Sequence, residues 1–409
     1  MWFRSLSKLG ASLALALWLA PLAIAKQTNH DFALVDYCPA GFKFNEHSVC
    51  KLDSIYNTYK SPHNSGVGGL KAGLPELRDG FRPEVIDLGR YLFFDPILSS
   101  DGSLACSSCH DPELGFSDGK GRAVGIHGQI LERSAPSLWN IGFFQRLLWD
   151  GSKASLEEQM LGPLYSELEM GNTPENLLKT LNDNATYRAM FAEAFHSGTG
   201  TSANTNADTI RLDMVYEALT AFESSLISLN SRFDFYAHGA HNALAPSELE
   251  GLNVFRSFVS RCGECHTPPL FTNQQLAIIG VPEPEDRPFD PGAGATSGIP
   301  EQRGGFRVPS LRNIARSAPY MHQGNFETLR ETVGFYNKGR GHAVPEDESL
   351  LIHWHIWDPN LRDEELDRLV DFLHALTDEG FMPEIPMRVP SGLPPGRAIK
   401  AQALTVRTP

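Results

Sequence analysis

Four of the six cysteines in this 409-residue chain stand in two copies of one pattern, Cys106-Ser107-Ser108-Cys109-His110 and Cys262-Gly263-Glu264-Cys265-His266. Two thiols three positions apart, followed at once by an imidazole, form the spacing that captures haem vinyl groups as thioethers and offers the iron an axial ligand. Cys106, Cys109, Cys262 and Cys265 are thus expected to attach two haem c groups, with His110 and His266 as proximal iron ligands. A zinc ribbon or disulfides would employ the same thiols, but they do not explain a histidine at the same place in both copies.

The start of the chain fits that chemistry. Arg4 and Lys8 precede an apolar run over residues 9–22, and Ala23-Ile24-Ala25 is a small-residue cleavage site. This predicts a secretory signal over residues 1–25; a retained anchor is the alternative, though the run is short for a membrane span. Covalent haem attachment in bacteria occurs outside the cytoplasm, so signal and motifs agree on a periplasmic or otherwise exported protein with no membrane span in the mature chain. Cleavage removes two positive charges and no acid, taking the formal net charge from −14 to −16. So acidic a chain, without a basic stripe, is not a nucleic-acid binder. Its charge serves solubility or the steering of a basic protein partner. Cys38 and Cys50, the remaining cysteines, are expected to pair in an oxidising compartment and staple an N-terminal extension. A redox or metal role for them lacks the C-x-x-C spacing.

Apolar periodicity defines the elements that must carry the motifs. Residues 26–80 read as a loop-rich extension. Pro83 opens a helix to Phe94, with Val85, Leu88, Leu92 and Phe93 on one face, and delivers the chain to Cys106. Ile210, Met214, Ala218, Leu219, Phe222 and Leu226 stripe a longer helix over residues 209–230. The pattern breaks over residues 232–246, dividing an N-terminal domain (residues 81–235) from a C-terminal one (residues 236–382). Ser247, with Glu250 completing a capping box, starts a helix through Leu252, Phe255 and Phe258 into the second motif. Residues 281–305 read as a long loop and residues 383–409 as an extended, weakly ordered tail. The halves echo each other: Cys109-His110-Asp111-Pro112-Glu113-Leu114-Gly115-Phe116 is similar to Cys265-His266-Thr267-Pro268-Pro269-Leu270-Phe271, and each follows an amphipathic helix. The expected fold class is mainly α, with two class I cytochrome c-like haem domains and long loops.

Over residues 80–380 the chain resembles the bacterial di-haem cytochrome c peroxidase and MauG superfamily. The segments that carry the resemblance include Leu88-Gly89-Arg90-Tyr91-Leu92-Phe93-Phe94-Asp95, Ala135-Pro136-Ser137-Leu138, Leu148-Trp149-Asp150-Gly151 and Glu158-Gln159. They continue with Gly162-Pro163, Glu169-Met170, Phe306-Arg307-Val308-Pro309-Ser310-Leu311-Arg312-Asn313, Ala318-Pro319-Tyr320-Met321-His322-Gln323-Gly324 and Thr328-Leu329. The resemblance implies that peroxide reacts at the N-terminal haem and that the C-terminal haem, six-coordinate, handles electrons. It places Trp149 between the haems as an oxidisable bridge, and Gln159, Pro163 and Glu169 around the peroxide. A carboxylate there can move a proton between peroxide oxygens and promote heterolytic cleavage. Without the resemblance, Glu169 reads as a surface helix acid, Trp149 as a core aromatic and Pro163 as a turn former.

The sixth ligand of the C-terminal haem discriminates between branches. Peroxidases of the superfamily present a Met eight residues after the Thr of their Thr-Leu motif; here that position is Tyr336, as in the MauG- and MbnH-like branch. A thioether stabilises ferrous iron, whereas a phenolate stabilises ferric and more oxidised iron. The competing reading packs Tyr336 in the core and gives the iron Met321. His127, seventeen residues past His110, is either a removable distal ligand or a loop histidine. The family often holds calcium between its domains with an Asn just before Ala-Pro; here Ser134 stands there, a weaker donor, with carbonyls around Ser317 and Pro319 left to contribute. His322 is expected to orient the surroundings of the C-terminal haem. The His353-Trp354-His355-Ile356-Trp357 cluster reads as a copper or partner site, or as incidental.

The expected function is an exported di-haem enzyme that uses hydrogen peroxide to form a high-valent di-haem state and oxidise a Trp or Tyr of a partner protein. The alternative is a peroxidase drawing electrons from a small cytochrome c or cupredoxin. A third reading is an electron carrier that does not react with peroxide.

Overall fold

The computed structural model describes residues 32–58, 73–196, 209–284, 287–339 and 341–397. The expected signal over residues 1–25 lies outside them. In the extension, β1 (Phe42–Phe44) and β2 (Cys50–Leu52) pair antiparallel, and the Cys38–Cys50 disulfide closes the hairpin. Short strands therefore stand where a loop was expected.

Helix α1 (Pro83–Phe94) occupies its predicted range, with Val85, Leu88, Leu92 and Phe93 buried. After α2 (Leu156–Tyr165), α3 (Pro174–Asp183) and α4 (Ala185–His196) comes α5 (Leu212–Ser224), shorter than the stripe over residues 209–230 suggests. Past Ser224 the chain leaves the helix because other partners take its backbone: the Asn140 N–H donates to the Leu226 carbonyl at 2.7 Å, and the Ser228 N–H to the Asn140 side chain at 2.9 Å. Next come α6 (Arg232–Ala237), α7 (Pro246–Phe255), the single turn α8 (Cys262–Cys265), β3 (Leu276–Ile278), α9 (Ala293–Ser297), β4 (Gly305–Arg307), α10 (Leu329–Asn337) and α11 (Asp363–His374). β3 and β4 pair antiparallel with Ala277 opposite Phe306.

Helix α7 corrects the proposed Ser247–Glu250 cap. Pro246 takes the first helical position, where its fixed φ and missing N–H cost nothing, and the Glu248 carboxylate accepts the Ala245 N–H at 2.8 Å. Phe258 lies beyond the helix end at Phe255, and 80% of it faces solvent. The stretch over residues 281–305 is likewise not a bare loop, since it carries α9 and the start of β4.

Buried apolar side chains form two clusters. One gathers mainly residues from Leu34 to Leu229; the other runs from Phe233 to Leu376. Each is built on a helix pair crossing at a glycine. α1 packs on α5, and a Cβ at Gly89 would lie 1.8 Å from the Ala218 carbonyl oxygen; α7 packs on α11, and a Cβ at Gly251 would lie 1.9 Å from that of Arg368. Phe222 and Phe372 flank these crossings in matching positions. The echo seen around the haem motifs thus extends to the helices.

The tail departs from its predicted loose state. Through Gly396 it lies along the first cluster: Val389 is buried, Ser391 N–H donates to Asp95 at 3.0 Å, and Gly396 N–H donates to the Phe94 carbonyl at 2.8 Å. The Gly396 carbonyl accepts the Ser107 hydroxyl at 2.9 Å. A Cβ there would come within 2.5 Å of Ala105, so only glycine lets the tail sit against the first motif.

A charge pair buried from solvent joins the extension to the second cluster. Arg312 Nη2 donates to Asp234 at 2.7 Å, its Nε to the Pro269 carbonyl at 2.8 Å, and Tyr56 Oη donates to Asp234 at 2.5 Å. Both charged side chains are fully buried. Burial pushes the Asp234 carboxyl up, but the Arg312 guanidinium and the hydrogen bonds from Tyr56 and Ser231 together hold the group below its ordinary range. A carboxyl depressed in the folded state contributes stability above its unfolded pKa and loses it as pH falls through the folded value. Asp234→Asn is expected to cost about 3–5 kcal/mol near neutral pH, because it strands a buried guanidinium. Urea unfolding should show the parent's advantage shrinking below about pH 4; equal stability near neutral pH would show that the pair contributes nothing.

Candidate active site

Each motif opens onto its own cavity. The first is lined by Cys106, Cys109, His110, Gln159, Met160, Pro163, Glu169 and Glu223, among others. Sequence reasoning therefore brings His110, Gln159, Pro163 and Glu169 together correctly as neighbours. Gln159 and Pro163 share a face of α2. Glu169 follows on the turn after that helix, where the Met170 N–H returns to the Pro163 carbonyl at 3.0 Å. Pro163 inside α2 withholds one backbone N–H from the helix. Burial pushes the Glu169 carboxyl up, with Ser166 hydrogen-bonding against that shift.

The second cavity, of about 250 Å³, is lined by Cys262, Cys265 and His266, and also by Tyr336, Met321, His322, Trp149 and Arg307. Tyr336 reaches it from the last turn of α10, whose N-terminus is fixed by a reciprocal cap between Thr328 and Glu331. Burial, then the Cys265 and Cys262 sulfurs, push the Tyr336 phenol far above its ordinary range. Met321 lines the same space. Trp149 is held twice: its indole N–H donates to the Ser134 carbonyl at 2.9 Å, and its own carbonyl accepts the Arg307 N–H at 2.7 Å.

Both motif histidines are fixed in the same way. His110 Nδ1 lies 2.9 Å from the Phe116 carbonyl, and His266 Nδ1 lies 3.2 Å from the carbonyls of Phe271 and Pro309. A carbonyl beside Nδ1 selects the Nδ1–H tautomer and leaves the Nε2 lone pair for a metal. Burial lowers both imidazoles, His266 to about 4, so each is neutral near neutral pH. The Pro136 carbonyl also bonds His110, while Pro136 lines the second cavity. The segment over residues 134–139 is thus a wall between the two cavities.

These residues fit haem. The motif thiols are not joined as disulfides, and burial pushes Cys109 up to about 12 and Cys262 to about 11. The zinc-ribbon alternative needs both thiols of a motif to converge on one ion. Among the described residues, the close group of metal-ligating side chains is instead Cys265 with His353 and His355, within 4.8 Å of one another. Haem attachment would consume that thiol. Arg307 supplies a further test. It lines the second cavity, is 4% exposed, and its Nη1 is buried without a hydrogen-bond partner. Its Nε donates to the Leu148 carbonyl, but the buried, unpartnered Nη1 calls for an acceptor in the cavity, and haem propionates are carboxylates.

The other expected residues lie outside the first cavity. His127 does not line the first cavity; its side chain is 67% exposed, 3.7 Å from Asp101, with φ of 56°. The geometry of this loop corresponds to the loop-histidine reading. Ser134 donates its hydroxyl to the Met321 carbonyl at 3.1 Å. Arg133 lies between Asp150 and Asp290 nearby. His322 stacks on Phe306 with ring centroids 4.0 Å apart and lies 3.6 Å from Glu283. Sequence reasoning missed Arg307 and Glu223. Arg307 sits inside a quoted segment, Phe306-Arg307-Val308-Pro309, where a basic residue amid apolar neighbours was its signal. Glu223 interrupts the buried end of the α5 stripe.

Residues 83–242 match the family described as di-haem cytochrome c peroxidase. Cytochrome c551 peroxidase of Nitrosomonas europaea is 31% identical over 330 residues, covering 80% of this chain and 89% of that protein. Methylamine utilization protein MauG of Methylorubrum extorquens is 32% identical over 297 residues, 73% of this chain and 79% of that one. Among solved structures, a MauG-like protein associated with microbial copper homeostasis has a TM-score of 0.66 at 30% identity, covering 75% of this chain and 94% of that chain. The diheme peroxidase BthA of Burkholderia thailandensis has a TM-score of 0.59 at 27% identity, covering 89% and 97%.

Glu169→Gln keeps the volume and removes the titrating proton. It is expected to slow the reaction of the haem-loaded protein with peroxide by about 10²–10⁴-fold, read by stopped-flow absorbance, with haem content unchanged. A rate within threefold of the parent, about 0.7 kcal/mol, would remove Glu169 from proton transfer.

Proposed function

Because the chain belongs to the di-haem cytochrome c peroxidase and MauG family, haem-dependent oxidoreductases that act with peroxide, we propose that it is an exported enzyme that spends peroxide on oxidising a Trp or Tyr side chain of a partner protein. Each core cluster is read as a cytochrome c-like haem domain. Cys106 and Cys109 would attach one haem c and Cys262 and Cys265 the other, with His110 and His266 as proximal ligands. The observation that carries the reading is Tyr336, whose phenol shares a cavity with His266 and feels the Cys262 and Cys265 sulfurs.

When bound, the two haems supply the iron redox chemistry that takes two oxidising equivalents from peroxide. The protein's part is to place and protonate. Gln159 and Pro163 shape the first cavity, and Glu169 exchanges a proton with the peroxide oxygens. Trp149, held at both its indole N–H and its carbonyl, keeps an oxidisable ring beside the wall over residues 134–139, so that charge passes between the cavities over a short gap. Tyr336 would offer the second iron a hard oxygen donor, which favours oxidised states. Arg307 anchors an acidic edge.

Met321, lining the same cavity, favours a second reading. As a thioether ligand it would make the protein a peroxidase that is half-reduced before it works and takes electrons from a small cytochrome or cupredoxin.

Stoichiometric peroxide added to the fully oxidised protein distinguishes the two. Loss of both ferric electron-paramagnetic-resonance signals, with a new near-infrared band, is the expected result. A reaction only after one-electron reduction would overturn the Tyr336 reading in favour of Met321. Tyr336→Met should convert the first behaviour into the second.

A further inference from the structure

Glu223 has no part in the chemistry above, yet it lines the first cavity together with His110, Gln159 and Glu169. It sits in the last turn of α5 and is 7% exposed, with its Oε2 buried and without a hydrogen-bond partner. Buried carboxyls are ordinarily paired or hydrogen-bonded, because an unpaired charge in a low-dielectric interior costs several kcal/mol. Among the described residues no cation stands within ion-pair distance of Glu223. Its charged neighbour is another acid, Glu157, at the start of α2. On α1, the nearest-packed helix, Asp87 and Arg90 pair with each other. On its own helix the Thr220 and Ser224 hydroxyls are buried and also lack partners. Polar atoms arranged in this way are the usual hosts of buried water.

We propose that Glu223 is the proton-supplying residue of this cavity, passing a proton inward toward Glu169 and regaining it from solvent by way of Glu157. The inference rests on the peroxide reading of the site. Reducing one peroxide to two waters consumes two electrons and two protons. The electrons come from the partner protein. Each proton comes from the Glu223 O–H bond, which breaks to leave a carboxylate, and solvent reprotonates that carboxylate between transfers. Glu157 is suited to the outer end of the route: its side chain is 30% exposed and pairs with Arg78 at the surface. Burial, reinforced by Glu157, pushes the Glu223 carboxyl up to about 8, so near neutral pH it holds the proton it would give.

The test uses the holoprotein with both haems. Glu223→Gln preserves shape and hydrogen bonding but carries no transferable proton; Glu223→Asp keeps the proton. The parent's reaction with peroxide should slow as pH rises through the Glu223 range. Glu223→Gln should lose that pH limb and react at least about tenfold more slowly, while Glu223→Asp restores the limb. Infrared spectra near neutral pH should show a deuterium-sensitive protonated-carboxyl band that is absent from Glu223→Gln. Glu157→Gln should leave the first proton transfer intact and slow the second, which waits on reprotonation of Glu223. A Glu223→Gln protein with the parent's rate and pH profile, or with the band still present, overturns the proposal alone. A parent that ignores peroxide at every pH overturns the reading of the site as well.

Discussion

The buried pair of Arg312 and Asp234 is the contact on which the second half of the molecule turns. Neither charge reaches water, so each is tolerable only in the presence of the other. Arg312 also donates to the Pro269 carbonyl, two residues before Phe271, whose own carbonyl stands at His266 Nδ1. Pro309, three residues before Arg312, provides the other carbonyl at that nitrogen. One guanidinium thus fixes both chain segments that set the tautomer and direction of the imidazole. Tyr56 brings the N-terminal extension into the same network. Asn313, the residue after Arg312, donates its N–H to the Leu376 carbonyl and accepts the Asp378 N–H on its side chain.

The two halves solve one problem by the same means. A glycine lets two helices cross at backbone contact, Gly89 against Ala218 and Gly251 against Arg368. A short irregular stretch then presents two thiols and an imidazole, and a carbonyl five or six residues later orients the ring. The halves differ in what faces each histidine across its cavity. The first offers titratable carboxyls, Glu169 and Glu223; the second offers a phenol, a thioether and a guanidinium. The carboxyls are therefore kept apart from the phenol, thioether and guanidinium, with the segment over residues 134–139 between them.

Much of this was legible in the sequence. Motif spacing, the apolar stripe of α1 and the odd cysteine pair each reflect a local rule, and local rules survive folding. The resemblance gathered Gln159, Pro163 and Glu169 correctly. What was misread depended on distant partners. The α5 stripe overran because Asn140, more than eighty residues away in sequence, captures the backbone after Ser224. The α7 cap was misplaced because Pro246 set the helix start ahead of Ser247. Sequence leaves His127 open between ligand and loop histidine, and its loop turns it to solvent. Arg307 and Glu223 look like ordinary surface charges in sequence, and only the packing around them shows that they are buried.

The strap formed by residues 383–397 has a consequence for how the molecule is assembled. A chain made from its amino end presents Cys106 and Cys109 long before Gly396 arrives to lie against Ala105 and Ser107. Contacts of such wide sequence separation form late and slowly. The first lobe therefore stays unsealed at the edge where its thiols sit until the second lobe has been synthesised. The strap is thus a late seal, closing over the first motif only after the rest of the chain exists.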